Sequence, residues 1–227
     1  MKTLIVVPAY NEQQVIGRTI SAIKTATSTL GSRTILVIDD GSSDLTAQKA
    51  KQSGALVARH IINRGLGGAL GTGLEYARIS KFDIMVTFDA DGQHDPSDIA
   101  KIIAPLTDGS ADVVIGSRTK SSHGHMPWDR KLLIAMSNVL TELLFNQITS
   151  DSQSGFRAFN KQAITHIHIK TQRMEVSSEF FSEIRRLNLK MREVPIKVIY
   201  TDYSRSKGQS NTNALNILYK LVLRLFR

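Results

Sequence analysis

Five short apolar runs constrain what this chain can fold into. "KTLIVV" (2–7), "RTILVI" (33–38), "ALVAR" (55–59), "DIMVTF" (83–88) and "ADVVIGSR" (111–118) are apolar almost throughout. They lack the strict alternation of a strand with one face in water. Between them lie helical patterns. Residues 11–28 carry Val15, Ile16, Ile20 and Ile23 at helical spacing, and Ser42 or Ser43 can cap a helix running to Gln52. Residues 65–78 form a Gly-rich helix, and Pro96 starts another that runs to Leu106. Buried strands alternating with helices predict an α/β chain on a mostly parallel sheet, flanked by helices on both faces.

In such sheets ligands bind outside the carboxyl ends of the strands. The polar motifs fall there: "PAYNE" after the first strand, "DDGSSD" after the second, "DADGQ" after the fourth and "GSR" after the fifth. Asp89 and Asp91 stand two residues apart, so both carboxylates can point to one side, where they repel unless a cation lies between them. Mg²⁺ or Mn²⁺ suits the pair, with Gln93 as a further oxygen. Asp95, just before Pro96, reads as a cap of the next helix. Asp39 and Asp40 suit hydrogen bonds from a ribose or base, and Asp44 suits the local turn. "NRGLGGALGTG" fails the dinucleotide fingerprint because position 70 is leucine, and reads as close helix packing with a loop.

After Arg118 the alternation breaks. Residues 128–149 read as one long helix, 154–160 as a turn and short strand, and 176–188 as a helix. Residues 191–200 read as a strand broken by Pro195, and 212–226 as a final helix. Arg118, Arg130, Arg205 and Lys207 are candidates for phosphate recognition, while Lys120 and Arg185 read as solvated charge. In the last segment Asn216, Lys220, Arg224 and Arg227 share one stripe on an otherwise apolar helix. It is too short to span a bilayer, which takes about 20 residues. It fits either a membrane interface or docking on protein. Residues 128–149, led by Arg130 and Lys131, pose the same choice.

Cysteine is absent, which excludes disulfides and thiolate chemistry. "MKTLIVVPAYNE" is no secretory signal, so a cytoplasmic location is expected. The net charge of +9 suits phosphates or an anionic membrane. No nucleic-acid motif accompanies it, so no nucleic-acid partner is expected. The two H-x-H pairs, 123–125 and 166–168, lack the companions of a zinc site.

"VVPAYNE", "VIDDGSSD", "DADGQHDP", "GSR" and "DSQSGFRAF" stand in an order that resembles family 2 glycosyltransferases of the GT-A fold. "YSRSKGQS" makes the chain similar to their polyprenyl-phosphate branch, which includes the dolichol-phosphate mannosyltransferases. The resemblance spans residues 3–211. It implies a catalytic domain over 1–211, with a nucleotide-sugar half (1–118) and an acceptor half (119–211), followed by a basic amphipathic helix (212–227). It also implies a nucleotide-sugar donor, GDP-mannose or a UDP-sugar, a divalent metal and inversion at the anomeric carbon. By position, Pro8, Ala9, Tyr10, Glu12 and Asp39 would hold the nucleoside. Asp89, Asp91 and Gln93 would hold metal and diphosphate. Arg118 and Arg130 would face an acceptor phosphate, and Arg205 and Lys207 would close on the donor. A polyprenyl-phosphate acceptor implies peripheral contact with the cytoplasmic face of a membrane, or an anchoring partner. Two alternatives stay open: a soluble transferase acting on a sugar hydroxyl, with Asp151 as base, and a non-catalytic nucleotide-sugar-binding subunit. Asp151 also fits a role in orienting Arg157 or the acceptor site.

Overall fold

The computed structural model describes residues 1–120 and 128–199. Seven strands form one sheet: β1 (Lys2–Ala9), β2 (Ser32–Asp39), β3 (Leu56–Arg59), β4 (Ile84–Thr87), β5 (Val113–Ser117), β6 (Arg157–Asn160) and β7 (Met191–Pro195). Their order is β3-β2-β1-β4-β6-β5-β7. Only β6 runs against its neighbours, pairing antiparallel with both β4 and β5, while the other pairings are parallel.

Helices α1 (Ile16–Ala26), α2 (Thr46–Gln52), α3 (Gly65–Ile79), α4 (Ile99–Thr107), α5 (Trp128–Phe145), α6 (Lys161–His166) and α7 (Val176–Arg186) flank the sheet. Alternate residues of β1 enter different cores, as the pleat requires. Ile5 and Val7 pack with Ile16, Ile20, Ile23, Ile99, Ile102 and Phe156. Leu4 and Val6 pack with Leu74, Phe159, Phe180 and Phe181. Both faces are therefore covered. The glycines of α3 serve close packing: a Cβ on Gly67 would meet the Thr171 carbonyl oxygen at 2.2 Å, and one on Gly73 would meet Val6 at 2.6 Å.

Several boundaries differ from expectation, each for a local reason. Helix α1 starts at Ile16 rather than 11 because the intervening residues form a clamp. Asn11, at φ 55°, donates its N–H to Ser42 Oγ (2.9 Å), and its side chain accepts from the Ser43 N–H (2.9 Å). Ser42 and Ser43 are thus occupied, and it is Asp44 that accepts from the Thr46 N–H (2.9 Å) at the start of α2. Pro96–Asp98 form a 3-10 turn before α4, capped by Asp95 as expected. Helix α5 stops at Phe145, followed by Asn146 at φ 50°. Helix α6 is an addition: Asn160 caps it by accepting from the Ala163 N–H (2.9 Å). Pro195 ends β7, in register with Ser117, rather than breaking it. Arg205, Lys207, His123, His125 and the helix expected over 212–226 lie outside the described residues, as does the side chain of Arg130.

Candidate active site

The carboxyl ends of β1, β2, β4 and β5 meet at one edge. Because β6 is reversed, its beginning arrives there too. Thr87 at the end of β4 joins them: its hydroxyl donates to the Gly155 carbonyl (2.6 Å) and accepts from the Arg157 N–H (3.1 Å).

Asp89 and Asp91 follow β4. His94 Nε2 lies 2.9 Å from Asp89 Oδ2. An ionised carboxylate only accepts, so Nε2 carries the proton. The ring is buried between Phe88 and Phe156, and among the described residues its Nδ1 has no hydrogen-bond partner. Asp89 keeps 34% of its side chain open. Burial pushes its carboxyl up, but the His94 hydrogen bond and the charges of His94, Arg118 and Arg157 outweigh this and hold it below the usual range. Burial and the neighbouring Asp89 charge push Asp91 the other way, up to about 6. The Gln93 N–H donates to Asp91 Oδ1 (2.9 Å). Gly155 makes room for this pair: a Cβ there would stand 2.5 Å from Asp89 Oδ1.

The loops after β1 and β2 form the other flank. Ala9 pairs with Asp39 in register, and Pro8 with Ile38. Tyr10 is half exposed. The Glu12 N–H donates to Thr46 Oγ1 (2.8 Å), and the Glu12 charge acts on Asp91. Asp39 is buried. Its Oδ1 accepts from the Ser42 N–H (3.1 Å), while Oδ2 sits 3.1 Å from Arg59 Nε without a hydrogen bond. Asp40, expected to meet the nucleoside, makes internal bonds. Its carboxylate accepts from His60 Nδ1 (2.6 Å) and from the N–H groups of Arg64 (2.9 Å) and Gly65 (2.7 Å). It fixes the start of α3, with Oδ1 accepting two of these bonds and Oδ2 one.

A third group lies where β5, β6 and β7 meet. Arg118 grips Asp151 with Nε to Oδ2 and Nη2 to Oδ1, both at 2.7 Å, and its N–H adds a bond of 3.0 Å. Asp151 is fully buried. Both of its oxygens are bonded to Arg118, an arrangement that holds the guanidinium in place. Arg157 is also buried, bonded to the carbonyls of Ser152 (3.0 Å) and Ser154 (2.8 Å) and lying over Phe180 and Phe181. Burial pushes its guanidinium down to about 10, partly offset by the charges of Asp151 and Asp89.

Sequence reading missed four supports of the site. Glu193 of β7 accepts from Thr149 Oγ1 (2.6 Å), the Ser150 N–H (2.7 Å) and Ser150 Oγ (2.8 Å). Lys120, read as solvated charge, pairs with it at 2.7 Å. Asn138 of α5 donates to the Ser150 carbonyl (2.8 Å) and accepts from the Ser152 N–H (2.9 Å). His94 sits in the same motif as Asp89, five residues on, and was the one support with a signal.

Among the described residues, no cluster of three or more His, Asp or Glu side chains could hold a metal alone. Asp91, pushed up to about 6 by burial and the neighbouring Asp89 charge, and Asp89 beside it fit a hard divalent cation completed by water and ligand phosphate.

The family model "Glycosyl transferase family 2" matches residues 4–167. An uncharacterized protein of Methanocaldococcus jannaschii is 44% identical over 96% of this chain and 90% of its own length. The UDP-N-acetylglucosamine–dolichyl-phosphate N-acetylglucosaminyltransferase of Methanococcus voltae is 35% identical over 96% of this chain and 94% of its own. Among solved structures, glucosyl-3-phosphoglycerate synthase from Mycobacterium tuberculosis, in complex with Mn²⁺ and UDP-glucose, superposes with a TM-score of 0.73 at 21% identity. The match covers 99% of this chain and 77% of that one. The fold is thus GT-A, and the chain belongs to glycosyltransferase family 2.

Proposed function

We propose that this glycosyltransferase moves a hexose from a nucleotide sugar to a polyprenyl phosphate, with inversion at the anomeric carbon. One observation carries the choice of acceptor. Asp151, the base that a hydroxyl acceptor would need, is buried with both oxygens bound by Arg118. A phosphate is already anionic near neutral pH and needs no base. Instead it needs a fixed cation, and Arg118 is one. The dolichyl-phosphate acceptor named for the M. voltae relative supports the same reading.

The residues then divide the work. Asp89 and Asp91, with Gln93 beside them, hold Mg²⁺ or Mn²⁺, which when bound offsets the charge that builds on the leaving diphosphate. His94 orients Asp89 through its Nε2 proton. Pro8, Ala9, Tyr10, Glu12 and Asp39 line the nucleoside, and Asp40 supports them from behind. Arg118, held by Asp151, meets the acceptor phosphate together with Arg130. Arg205 and Lys207 close on the donor phosphates. The reaction takes place at the cytoplasmic face of a membrane.

The test is a radiolabelled transfer assay. The protein is offered UDP-GlcNAc, GDP-mannose and UDP-glucose in turn with polyprenyl phosphate, with and without Mn²⁺ or Mg²⁺. Metal-dependent label in the lipid phase is expected with one donor. Donor binding without lipid product would overturn the acceptor assignment.

A further inference from the structure

Helix α1 lays Ile16, Thr19, Ile20 and Ile23 on the core. One of the four is polar. A buried hydroxyl costs stability unless it is bonded, and a valine of similar shape would fill the place without that cost. Other hydroxyls of this helix find their partner locally, each donating to the carbonyl four residues back. Ser21 donates to Gly17 (3.0 Å), Thr25 to Ser21 (3.1 Å) and, just past the helix end, Thr27 to Ile23 (2.6 Å). Thr19 reaches elsewhere. Its hydroxyl donates across 71 positions of chain to the carbonyl of Ala90 (3.0 Å). Ala90 is the residue between Asp89 and Asp91. It is buried, and among the described residues no main-chain N–H bonds to its carbonyl.

We infer that Thr19 is a positioning residue for the divalent metal, because it holds the peptide that joins the two carboxylates. The inference rests on the metal reading of Asp89 and Asp91 and adds a residue to it. Three separate bonds then act on three consecutive residues. His94 Nε2 holds the Asp89 side chain (2.9 Å), the Gln93 N–H holds the Asp91 side chain (2.9 Å), and Thr19 holds the backbone between them. A bond to a carboxylate fixes how it points. A bond to the backbone fixes where it starts, so rotation of the Ala90 peptide would undo both of the others. Thr19 also ties the carboxylates to the nucleoside flank. The N–H groups of Val15 and Ile16 donate to the Glu12 carbonyl (3.0 and 2.9 Å), so α1 continues directly from the loop of Tyr10 and Glu12. The spacing between that loop and the carboxylates is thereby set by a helix, the stiffest connection available.

The test compares wild type with Thr19→Val, Thr19→Ser and Thr27→Val. The last removes another buried hydroxyl at the end of the same helix, bonded only within it, and serves as the control for simple loss of stability. Mn²⁺ uptake is read from the paramagnetic resonance of the free ion. Exchange of the Gln93 amide is read by NMR in metal-free protein. Thr19→Val should weaken Mn²⁺ binding about tenfold and quicken Gln93 exchange. Thr19→Ser keeps the hydroxyl and should stay within about twofold of wild type. Thr27→Val should match wild type in both readouts even where its melting temperature falls. Unchanged Mn²⁺ affinity in Thr19→Val would overturn the inference. Equal weakening in Thr27→Val would do the same, since it would mark a general loosening of α1. Asp91→Ala separates the two readings. If it takes up Mn²⁺ as wild type does, or if wild type takes up none, the metal reading falls and the inference with it. If Asp91→Ala loses Mn²⁺ while Thr19→Val keeps it, the metal reading stands and only the role of Thr19 is lost.

Discussion

Where β1, β2 and β4 end, the buried carboxylates Asp39 and Asp40 and the Asp89–His94 pair apart, loops are held mainly by main-chain amides meeting short polar partners. Asp40 N–H donates to the Ala9 carbonyl, Asn11 N–H to Ser42 and Glu12 N–H to Thr46. Where β5, β6 and β7 meet, the work falls to buried charge. Asp151 holds Arg118, Glu193 holds Lys120 and the 149–150 turn, and Arg157 is sunk among carbonyls and rings. Many small neutral bonds tolerate the loss of one. A buried charge does not tolerate loss of its partner. Away from Asp39, Asp40 and Asp89, the donor flank should therefore lose function under substitution while keeping its fold, and the acceptor flank should lose both.

The sharpest test of this contrast is Asp91→Ala. Metal-dependent transfer should drop by about three orders of magnitude or more, with no fall in the metal-free melting temperature, because a strained charge is removed. Gly155→Ala should act in the same way by displacing Asp89, and calorimetric Mn²⁺ titration would read it directly. Unfolding of either variant would break the contrast from the donor side. On the acceptor side, Arg118→Ala strands the Asp151 carboxylate and should cost about 3–5 kcal/mol in denaturant unfolding. A loss under 1 kcal/mol, order of magnitude, would mean that water reaches Asp151 after all. Glu193→Gln should cost roughly 1–3 kcal/mol and raise the acceptor KM while leaving the donor KM unchanged. Equal movement of both constants would mean that the two flanks are not separately held.

The smallest effect is one of pH. Asp91 is pushed up to about 6, above its ordinary value of 3.8. In the metal-free fold the stability from this group is therefore full below about pH 4 and lost as pH rises through 6. Metal binding needs the ionised form. The rise in melting temperature caused by Mn²⁺ should accordingly be slight at pH 5 and grow through pH 6. Scanning fluorimetry at a series of pH values would check it, and a shift independent of pH would remove Asp91 from the metal site.

The same contrast explains what could be read from sequence. In the first half the apolar runs are themselves the strands, and the candidate carboxylates fall next to their ends. Even so, adjacent Asp39 and Asp40 could not be told apart. Which one turns inward depends on His60 and on the N–H groups of Arg64 and Gly65, more than twenty residues away for the amides. In the second half the decisive partners are farther still: Arg118 with Asp151, and Glu193 with Ser150. No local pattern announces such pairs. Which face of α5 meets the protein was equally hidden, since periodicity shows that a helix has two faces and not which one is buried.

The single reversed strand has an evolutionary consequence. The chain leaves the sheet after Ser117 of β5 and returns at Arg157 of β6, which lies in register with Ile115. Topologically, everything between is the loop of one oversized hairpin, entering and leaving at the same spot. It contains Arg118, Asp151 and α5. Such a cassette can be lengthened, shortened or exchanged without moving any strand, provided that its last turn, where Gly155 abuts Asp89, is kept. A descendant of this fold can therefore acquire a new acceptor while inheriting its donor chemistry intact.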